Sequence, residues 1–459
     1  MELPINRNDI VEVEIIDTSH EGTGVAKIDG FTVFVDGGLL GDIGKAKITD
    51  IKKNFALGKM IKITNPSIYR VEPKCPISNI CGGCQLQGLS YDVQLEIKTN
   101  KVINDIKRIG KLDDVIIHKT IGMDEPFRYR NKAQIPVGLE NNKTSIGFYK
   151  KGSHSIIDTN SCLIQHSISD KVIKVVREYM SQYKIKPYDS KSGKGIIKHI
   201  LTKTSFKTKD TMIIIVTNGS KLPYKDELVN ELKGSVPTLK SIVHNIHSKR
   251  TNQVMGPKTI TIYGDDKIVD YIGELKFNIS PESFFQVNPI QTEVLYNKAL
   301  EYAELKGNET VFDLYCGIGS ISLFLAQRAK KVYGIEVVSQ AIEDAKENAR
   351  INGIDNVEFF DGTAEEIFPM LYKKGIRADV VVVDPPRKGC GKSVLDTIVK
   401  MQPKRVVYVS CNPSTLARDL KYLDENGYKT VEVQPVDMFP QTEHVECIVQ
   451  IKRAESRMK

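Results

Sequence analysis

Residues 310–320 read TVFDLYCGIGS, and this stretch decides the fold of the C-terminal part of the chain. TVFDLY is typical of a buried strand, and the glycine-rich loop after it leads into the apolar helix pattern ISLFLAQRA. The next strand, 331–335, ends in Glu336, and from about residue 285 onward strand patterns alternate with helix patterns. This alternation predicts a doubly wound, Rossmann-like parallel sheet.

The glycine-rich loop favours S-adenosylmethionine (SAM) as the ligand. Its glycines let the backbone approach a ligand closely, and Glu336 at the end of the next strand can accept both ribose hydroxyls. The dinucleotide motif GxGxxG is incomplete because residue 322 is Ser, and no Lys-Ser or Lys-Thr follows as in a phosphate P-loop. Asp361, at the end of a third strand, is expected to meet the adenine edge. The alternative is a plain tight turn between strand and helix.

Two further strands end in residues suited to catalysis. Strand 378–383 ends in the sequence DPPR, from Asp384 to Arg387, and strand 405–409 ends in SCNP, which contains Cys411. Ligands bind at this edge of parallel sheets. A related Asp/Asn-Pro-Pro-aromatic loop serves methylation of exocyclic amines, but here Arg387 replaces the aromatic residue, which disfavours that chemistry.

A thiol facing SAM suggests methylation of uracil at C5. Addition of the Cys411 thiolate to C6 would make C5 enolate-like, so that C5 could attack the methyl group. A base must then remove the C5 proton, and Glu446, which opens the last strand, is the candidate. The alternatives are a small buried cysteine and a solvated glutamate at a strand end.

Cysteines also cluster in a loop rich in proline and glycine. Cys75, Cys81 and Cys84 are spaced x5 and x2, and Cys162 stands far downstream. One CxxC pair does not make a zinc ribbon, and the spacing differs from that of radical-SAM enzymes. From the spacing alone a [4Fe–4S] cluster, a zinc site and unrelated thiols all remain open.

The rest of the chain points to RNA. Residues 8–64 alternate apolar and polar positions between glycine turns, which predicts an OB-like barrel that binds RNA or serves only as packing. The net charge of the 459 residues is +8, but residues 75–280 alone carry 32 basic and 20 acidic residues. This central excess favours a nucleic acid, although a lysine-rich solvated surface is the simpler alternative. No stretch of sequence is long and apolar enough to span a membrane, and we expect a cytoplasmic protein.

The motifs together resemble those of the RNA 5-methyluridine methyltransferases, within them the TRAM-domain type that modifies 23S ribosomal RNA. The resemblance covers essentially the whole chain. In the family's order the motifs are HEGTGVAKIDGFTVFVDGGLLGD, CPISNICGGCQLQ, PFRYRNKAQIPV, SFFQVNP, DLYCGIGSISL, DPPRKG, SCNP and HVEC.

The resemblance implies roles for individual residues. Cys411 matches the nucleophile and Glu446 the base, and the target uridine would be flipped out of its RNA fold. The positions that contact SAM are Gln286, Tyr315, Glu336 and Asp384. The cluster ligands are Cys75, Cys81, Cys84 and Cys162. Ser320 and Thr363 vary among relatives and are left out of the site.

The expected architecture is a multidomain α/β protein. Residues 1–70 form an OB-like TRAM barrel, 71–280 a central α+β domain with the iron–sulfur cluster and a basic RNA-binding surface, and 281–459 the class I SAM methyltransferase domain. A helix within 93–124 is expected to pack on the catalytic domain. We expect a monomer whose partner is 23S rRNA. The alternatives are the same chemistry on tRNA and a non-catalytic RNA-binding protein.

Overall fold

The N-terminal unit is built only from strands. The computed structural model describes residues 3–19 and 21–454; His20, with which the quoted N-terminal motif begins, and residues 1–2 and 455–459 lie outside the described residues. The strands form one mixed sheet in the order β1-β5-β6-β4-β3-β2. They are β1 (Ile10–Glu14), β2 (Asp17–Thr18), β3 (Gly24–Ile28), β4 (Phe31–Asp36), β5 (Ile43–Ile51) and β6 (Phe55–Asn65).

This sheet curls around a small core. Alternate side chains such as Val13, Val33 and Val35 are buried, as period-two patterning requires. The consecutive strands β1 and β2 lie at opposite ends of the sheet order. Ile16, which links the two strands in the chain, donates its N–H to Val25 O of β3 at 2.8 Å. The assignment to the OB class stays a prediction.

The helix that follows the cysteine loop belongs to the catalytic part of the molecule. Helix α1 (Tyr91–Arg108) packs against the last helix of the chain, and the short strand β7 (Ile116–Ile117) joins the edge of the catalytic sheet. The expected packing of this helix on the catalytic domain is thus found, and the helix ends at Arg108, so the range 93–124 also includes β7. The chain turns at Gly110 and Lys111, where Lys111 has a φ of +56°, a left-handed conformation that ends a helix.

The central domain is a mixed sheet covered on both faces. Its order is β10-β9-β8-β11-β12-β13-β14. Helices α2 and α3 pack on one face, and the other face joins the core of the catalytic domain, so that all of β12 is buried. The elements are β8 (Lys132–Glu140), β9 (Lys143–Tyr149), β10 (Ile156–Asp158), α2 (Ile168–Gln182), β11 (Ile197–Thr204), β12 (Thr211–Thr217), α3 (Lys225–Ser235), β13 (Leu239–Ile246) and β14 (Lys258–Gly264).

A hairpin formed by β15 (Ile268–Ile272) and β16 (Leu275–Ile279) then precedes the catalytic sheet. Its buried residues share a core with the catalytic helices, although the sequence boundary at 280 assigned them to the central domain. The hairpin packs where it does because Phe277, fully buried, contacts Phe285 with ring centroids 5.9 Å apart. The same core also includes Leu201, Met212 and Val243 of the central sheet, so the hairpin packs against both domains and the boundary at 280 stays a prediction.

The C-terminal domain is the doubly wound sheet that the sequence predicts. Its order is β19-β18-β17-β20-β21-β23-β22-β7, with parallel pairing from β19 to β21. Chain order reverses between β17 and β20, and ligands bind at such a switch point. The elements are α4 (Pro289–Ala303), β17 (Thr310–Leu314), α5 (Ser320–Ala326), β18 (Lys331–Glu336), α6 (Ser339–Ile351), β19 (Val357–Asp361), α7 (Ala364–Lys373), β20 (Val380–Val383), α8 (Lys392–Met401), β21 (Arg405–Ser410), α9 (Pro413–Glu425), β22 (Tyr428–Val436) and β23 (Glu446–Arg453).

Within residues 3–19 and 21–454, no helix combines the length and the apolar character that crossing a bilayer demands.

Candidate active site

One pocket of about 910 Å³ opens at the switch point of the catalytic sheet. The six residues that the sequence assigned to catalysis and SAM binding all line it, although they come from six separate segments of the chain. They are Gln286, Tyr315, Glu336, Asp384, Cys411 and Glu446. The structure therefore brings the whole predicted set together.

The glycine-rich loop forms one wall of this pocket. After β17 the chain turns through three left-handed residues, Tyr315 (φ +70°), Gly317 (φ +54°) and Gly319 (φ +80°), and α5 then begins. A Cβ on Gly319 would lie 3.0 Å from the Phe359 ring, whereas one on Gly317 would meet nothing within 4 Å. Gly319 is thus required for packing as well as for its φ, and Gly317 leaves room for a ligand.

Glu336 is held in place at the end of β18 by the backbone. Its Oε2 accepts from Gly317 N at 3.1 Å and its Oε1 from Val338 N at 3.0 Å. The carboxylate therefore bridges the glycine loop and the start of α6 while it faces the pocket. This placement suits a ligand with two adjacent hydroxyls.

Two carboxyl groups, those of Asp384 and Glu446, line the inner part of the pocket, and that of Asp313 lies buried close by. Burial raises the pKa of Asp384 to about 7 and that of Asp313, behind the glycine loop, to about 7. Burial, together with the nearby charge of Asp384, raises the pKa of Glu446 to about 8. Burial and neighbouring like charges disfavour ionisation, so these groups hold protons to a higher pH than exposed carboxyl groups do.

The nucleophile and base candidates sit next to each other across two strands. Ser410 pairs with Cys447 in the antiparallel register of β21 and β23, so Cys411 and Glu446 follow at the same edge. Burial, and then the charge of Glu446, raises the pKa of the Cys411 thiol to about 11. Arg387 opposes this effect, because its positive charge lowers the pKa of both groups.

Some residues of the site were missed or misplaced by the sequence analysis. Arg387 was read only as an argument against amine methylation, yet it faces both reactive groups. Ser320 and Thr363, which were set aside, line the pocket. Asp361, expected at the adenine edge, is exposed at the end of β19 and is not part of the pocket lining.

The loop before β23 is held by α1. Lys98, which is fully buried, donates through Nζ to Asp437 Oδ1 at 2.5 Å and to Phe439 O at 3.1 Å. Gln94 Nε2 donates to Gln441 Oε1 at 3.1 Å. Helix α1 thus orients the segment that leads to Glu446.

The four cysteines of the predicted cluster line a second pocket of about 390 Å³. Burial raises the pKa of Cys84 to about 12, that of Cys162 to about 11, and that of Cys81 as well. Cys75 is the fourth thiol in this lining. All four are free thiols, and within the described part of the chain no group of three or more Cys, His, Asp or Glu residues has the spacing of a formed metal site.

The two pockets are neighbours. Arg387, Phe439 and His444 line both of them. The cysteine loop also contacts the catalytic segment directly, because Gln85 N and Leu86 N both donate to Gln441 O at 3.0 Å. A change in the cysteine loop can therefore be transmitted to the walls of the active site.

Comparison with known proteins gives a consistent picture. The family model described as tRNA (Uracil-5-)-methyltransferase matches residues 267–454, and the TRAM domain model matches residues 5–61. A protein of Clostridium tetani named as an RNA methyltransferase is 53% identical over 448 residues, which cover 98% of this chain and 97% of the relative. A Bacillus cereus protein of the same description is 51% identical over 452 residues, covering 98% of each chain.

A solved structure shares the architecture over nearly the full length. It is the Pyrococcus abyssi tRNA (uracil-54, C5)-methyltransferase in complex with S-adenosyl-L-homocysteine, with a TM-score of 0.77 and 27% sequence identity. The match covers 96% of this chain and 100% of that one.

Proposed function

Because the chain belongs to the family of TRAM-containing RNA uracil-5-methyltransferases, we propose that it methylates C5 of a specific uridine in 23S rRNA. The observation that carries the proposed chemistry is the single pocket in which Cys411 and Glu446 face the glycine loop and Glu336. A nucleophile, a base and a nucleoside-binding carboxylate meet there at the switch point of the sheet.

In the proposed mechanism the side chains of this pocket act in sequence. SAM supplies an electrophilic methyl group. Cys411 gives up its proton to solvent, and the thiolate Sγ bonds to C6 of uracil, which moves the C5=C6 electron pair onto C5 and O4 as an enolate. Arg387 favours this step because its positive charge stabilises the thiolate. C5 takes the methyl group, and the sulfonium departs as a neutral thioether.

Glu446 then completes the reaction. Its ionised carboxylate removes the C5 proton, the electron pair restores C5=C6, and the C6–S bond breaks to release the Cys411 thiolate. Burial makes this carboxylate more basic than an exposed glutamate, which favours proton transfer once the group is ionised.

The cysteine pocket fits a [4Fe–4S] cluster as part of the proposal. Four thiols are the usual ligand set of such a cluster, and Cys75, Cys81, Cys84 and Cys162 surround one pocket. Burial favours the protonated form of Cys81, Cys84 and Cys162, and a bound cationic cluster would reverse that preference. The cluster would join the cysteine loop to Cys162 in the central domain.

Iron and acid-labile sulfide in anaerobically purified protein would test this assignment. Wild-type protein and the matched variant Cys390→Ser should carry the cluster, and Cys84→Ser should lose it. Stoichiometric zinc, or iron that is retained in Cys84→Ser, would contradict the assignment.

Support for 23S rRNA comes from the N-terminal and cysteine-loop motifs, which resemble the 23S type, and from the basic central segment. The same reaction on tRNA is the second candidate. It is favoured by the description of the matched family and by the Pyrococcus abyssi tRNA enzyme, which is matched over all of its length.

An in vitro comparison separates the two substrates. Total 23S rRNA and total tRNA from a strain lacking the gene are incubated with purified protein and methyl-labelled SAM, and nucleosides are analysed by mass spectrometry. We expect 5-methyluridine in 23S rRNA alone, with Cys411→Ala as the inactive control. Labelling confined to tRNA would replace the first candidate by the second.

A further inference from the structure

A third pocket, which is lined by basic residues and is distinct from the cysteine pocket, adjoins the active site on the side of the DPPR loop. It has a volume of about 550 Å³, and its charged lining residues are Lys388, Lys392, Arg418 and Asp419. Lys388 lines both this pocket and the active site, so the two cavities meet at that residue. We call it the basic pocket.

The protein neutralises only one of the three positive charges that line the basic pocket, that of Arg418. Among the described residues no carboxylate lies within salt-bridge distance of Lys388 or Lys392. The one lining carboxylate, Asp419, is buried and already bonded: Oδ1 accepts from Arg418 Nε at 2.8 Å, and Oδ2 accepts from Cys390 N at 2.9 Å. Asp419 and Arg418 thus neutralise each other, and the remaining positive charge is that of Lys388 and Lys392, on a domain whose overall charge is slightly negative.

The pocket is also rigidly built. Arg418 Nη2 donates to Lys388 O at 2.9 Å, and Gly389 N donates to Pro386 O at 2.8 Å. Gly389 has a φ of +78°, and a Cβ there would lie 2.6 Å from both Arg418 Nη2 and Asp419 Oδ2. The loop thus packs tightly against α9, which fixes the Arg418 guanidinium and the backbone that carries Lys388 before any ligand binds.

We propose that the basic pocket holds a backbone phosphate of the RNA strand next to the target uridine. This inference rests on the proposed function only in taking RNA as the substrate. A uridine that enters the active site leaves its flanking phosphates at the rim, where Lys388 stands. Lys392 and Arg418 then lie on the path along which the strand continues, and the half-buried ring of Tyr422 closes the pocket beyond them.

Phosphate contacts of this kind fix the register of the strand without reading its sequence. The catalytic domain would then hold the strand close to Cys411 independently of the TRAM and central domains. Its contribution should appear as affinity and salt dependence rather than as chemistry.

The test removes one positive charge at the far side of the basic pocket from the active site. Lys392→Gln, Lys392→Glu and Lys392→Arg are compared with Lys400→Gln, an exposed lysine at the other end of the same helix. Binding of a short fluorescein-labelled oligouridylate and of transcribed 23S rRNA is measured over a range of salt concentrations.

For Lys392→Gln we expect the dissociation constant to rise about fivefold and the salt slope to fall by about one unit, with a larger loss for Lys392→Glu. Lys392→Arg should bind as wild type, and S-adenosylhomocysteine affinity should be the same in all variants. If Lys392→Gln matches Lys400→Gln in affinity and slope, the inference is overturned.

The outcome is independent of methylation. If wild-type protein binds RNA but methylates none, the proposed function fails, while the salt slopes still test whether the basic pocket binds a phosphate of the RNA. If methylation occurs and the slopes do not differ, only the basic pocket fails.

Discussion

Replacing Glu446 by Gln should stop the reaction after methyl transfer and before release of the RNA. The variant retains the size and burial of the side chain but cannot accept the C5 proton. Without that proton transfer, the C6–S bond to Cys411 does not break. Methylated RNA should therefore accumulate as a covalent adduct of the protein.

The pKa of Glu446 sets the pH dependence of release in the wild type. Because this pKa is raised to about 8, the carboxyl group is protonated below that pH and ionised above it. The ionised fraction is about one tenth at pH 7 and about one half at pH 8. Release, which needs the ionised form, should speed up about fivefold over that interval and level off above about pH 9.

A single-turnover experiment with methyl-labelled SAM measures both species. Denaturing gels separate protein-bound RNA from free methylated RNA at each time and pH. The matched control is Glu443→Gln, which alters a carboxyl group of the same segment outside the pocket lining. Release by Glu446→Gln at the wild-type rate, or pH-independent release by the wild type, would refute the assignment of the base.

Three further predictions concern stability, cofactor binding and reactivity. Lys98→Met should lower the free energy of unfolding by about 3 to 5 kcal/mol, because it leaves Asp437 buried without the lysine of its ion pair. Urea unfolding followed by circular dichroism measures this loss, and an unchanged unfolding midpoint would count against the prediction. Gly319→Ala should weaken S-adenosylhomocysteine binding about tenfold, because the left-handed φ of residue 319 and the nearby Phe359 ring both oppose a Cβ. Calorimetry measures the affinity, and a wild-type value would contradict the prediction by showing that the loop adapts. The Cys411 thiol, whose pKa is raised to about 11, should react with iodoacetamide at pH 8 about a hundredfold more slowly than an ordinary thiol. Peptide mass spectrometry measures the rate of alkylation, and the rate of an ordinary thiol would contradict the prediction.

The parts of the fold that local patterns encode could be predicted from the sequence. The apolar runs of β17 and β20 read as buried strands because parallel strands are covered on both faces, as in Val380–Val383. The site could also be predicted, because residues at the carboxyl ends of parallel strands meet at one edge of the sheet. Glu336, Asp384 and Cys411 were placed together by that rule.

The parts that depend on distant contacts could not be predicted. Lys98 and Asp437 are 339 positions apart, and nothing in either local sequence indicates that they pair. Strand β7 has two residues and pairs with the edge of β22, so no local pattern marks it, and the range 93–124 that the resemblance implied for the helix runs past it. The DPPR motif placed Arg387 at the ligand-binding edge of the sheet. Its proximity to Cys411, however, depends on how the loop folds back, which the local sequence does not indicate.

The most direct test of the central claim is to trap the proposed Cys411 adduct. RNA transcribed with 5-fluorouridine carries fluorine at C5, which Glu446 cannot remove as it would a proton, so the adduct should persist after methyl transfer. With SAM present, the account predicts a denaturation-resistant complex whose RNA is attached to the peptide containing Cys411, and none in Cys411→Ala. A methylated RNA product without any adduct, or an adduct on another residue, would contradict it.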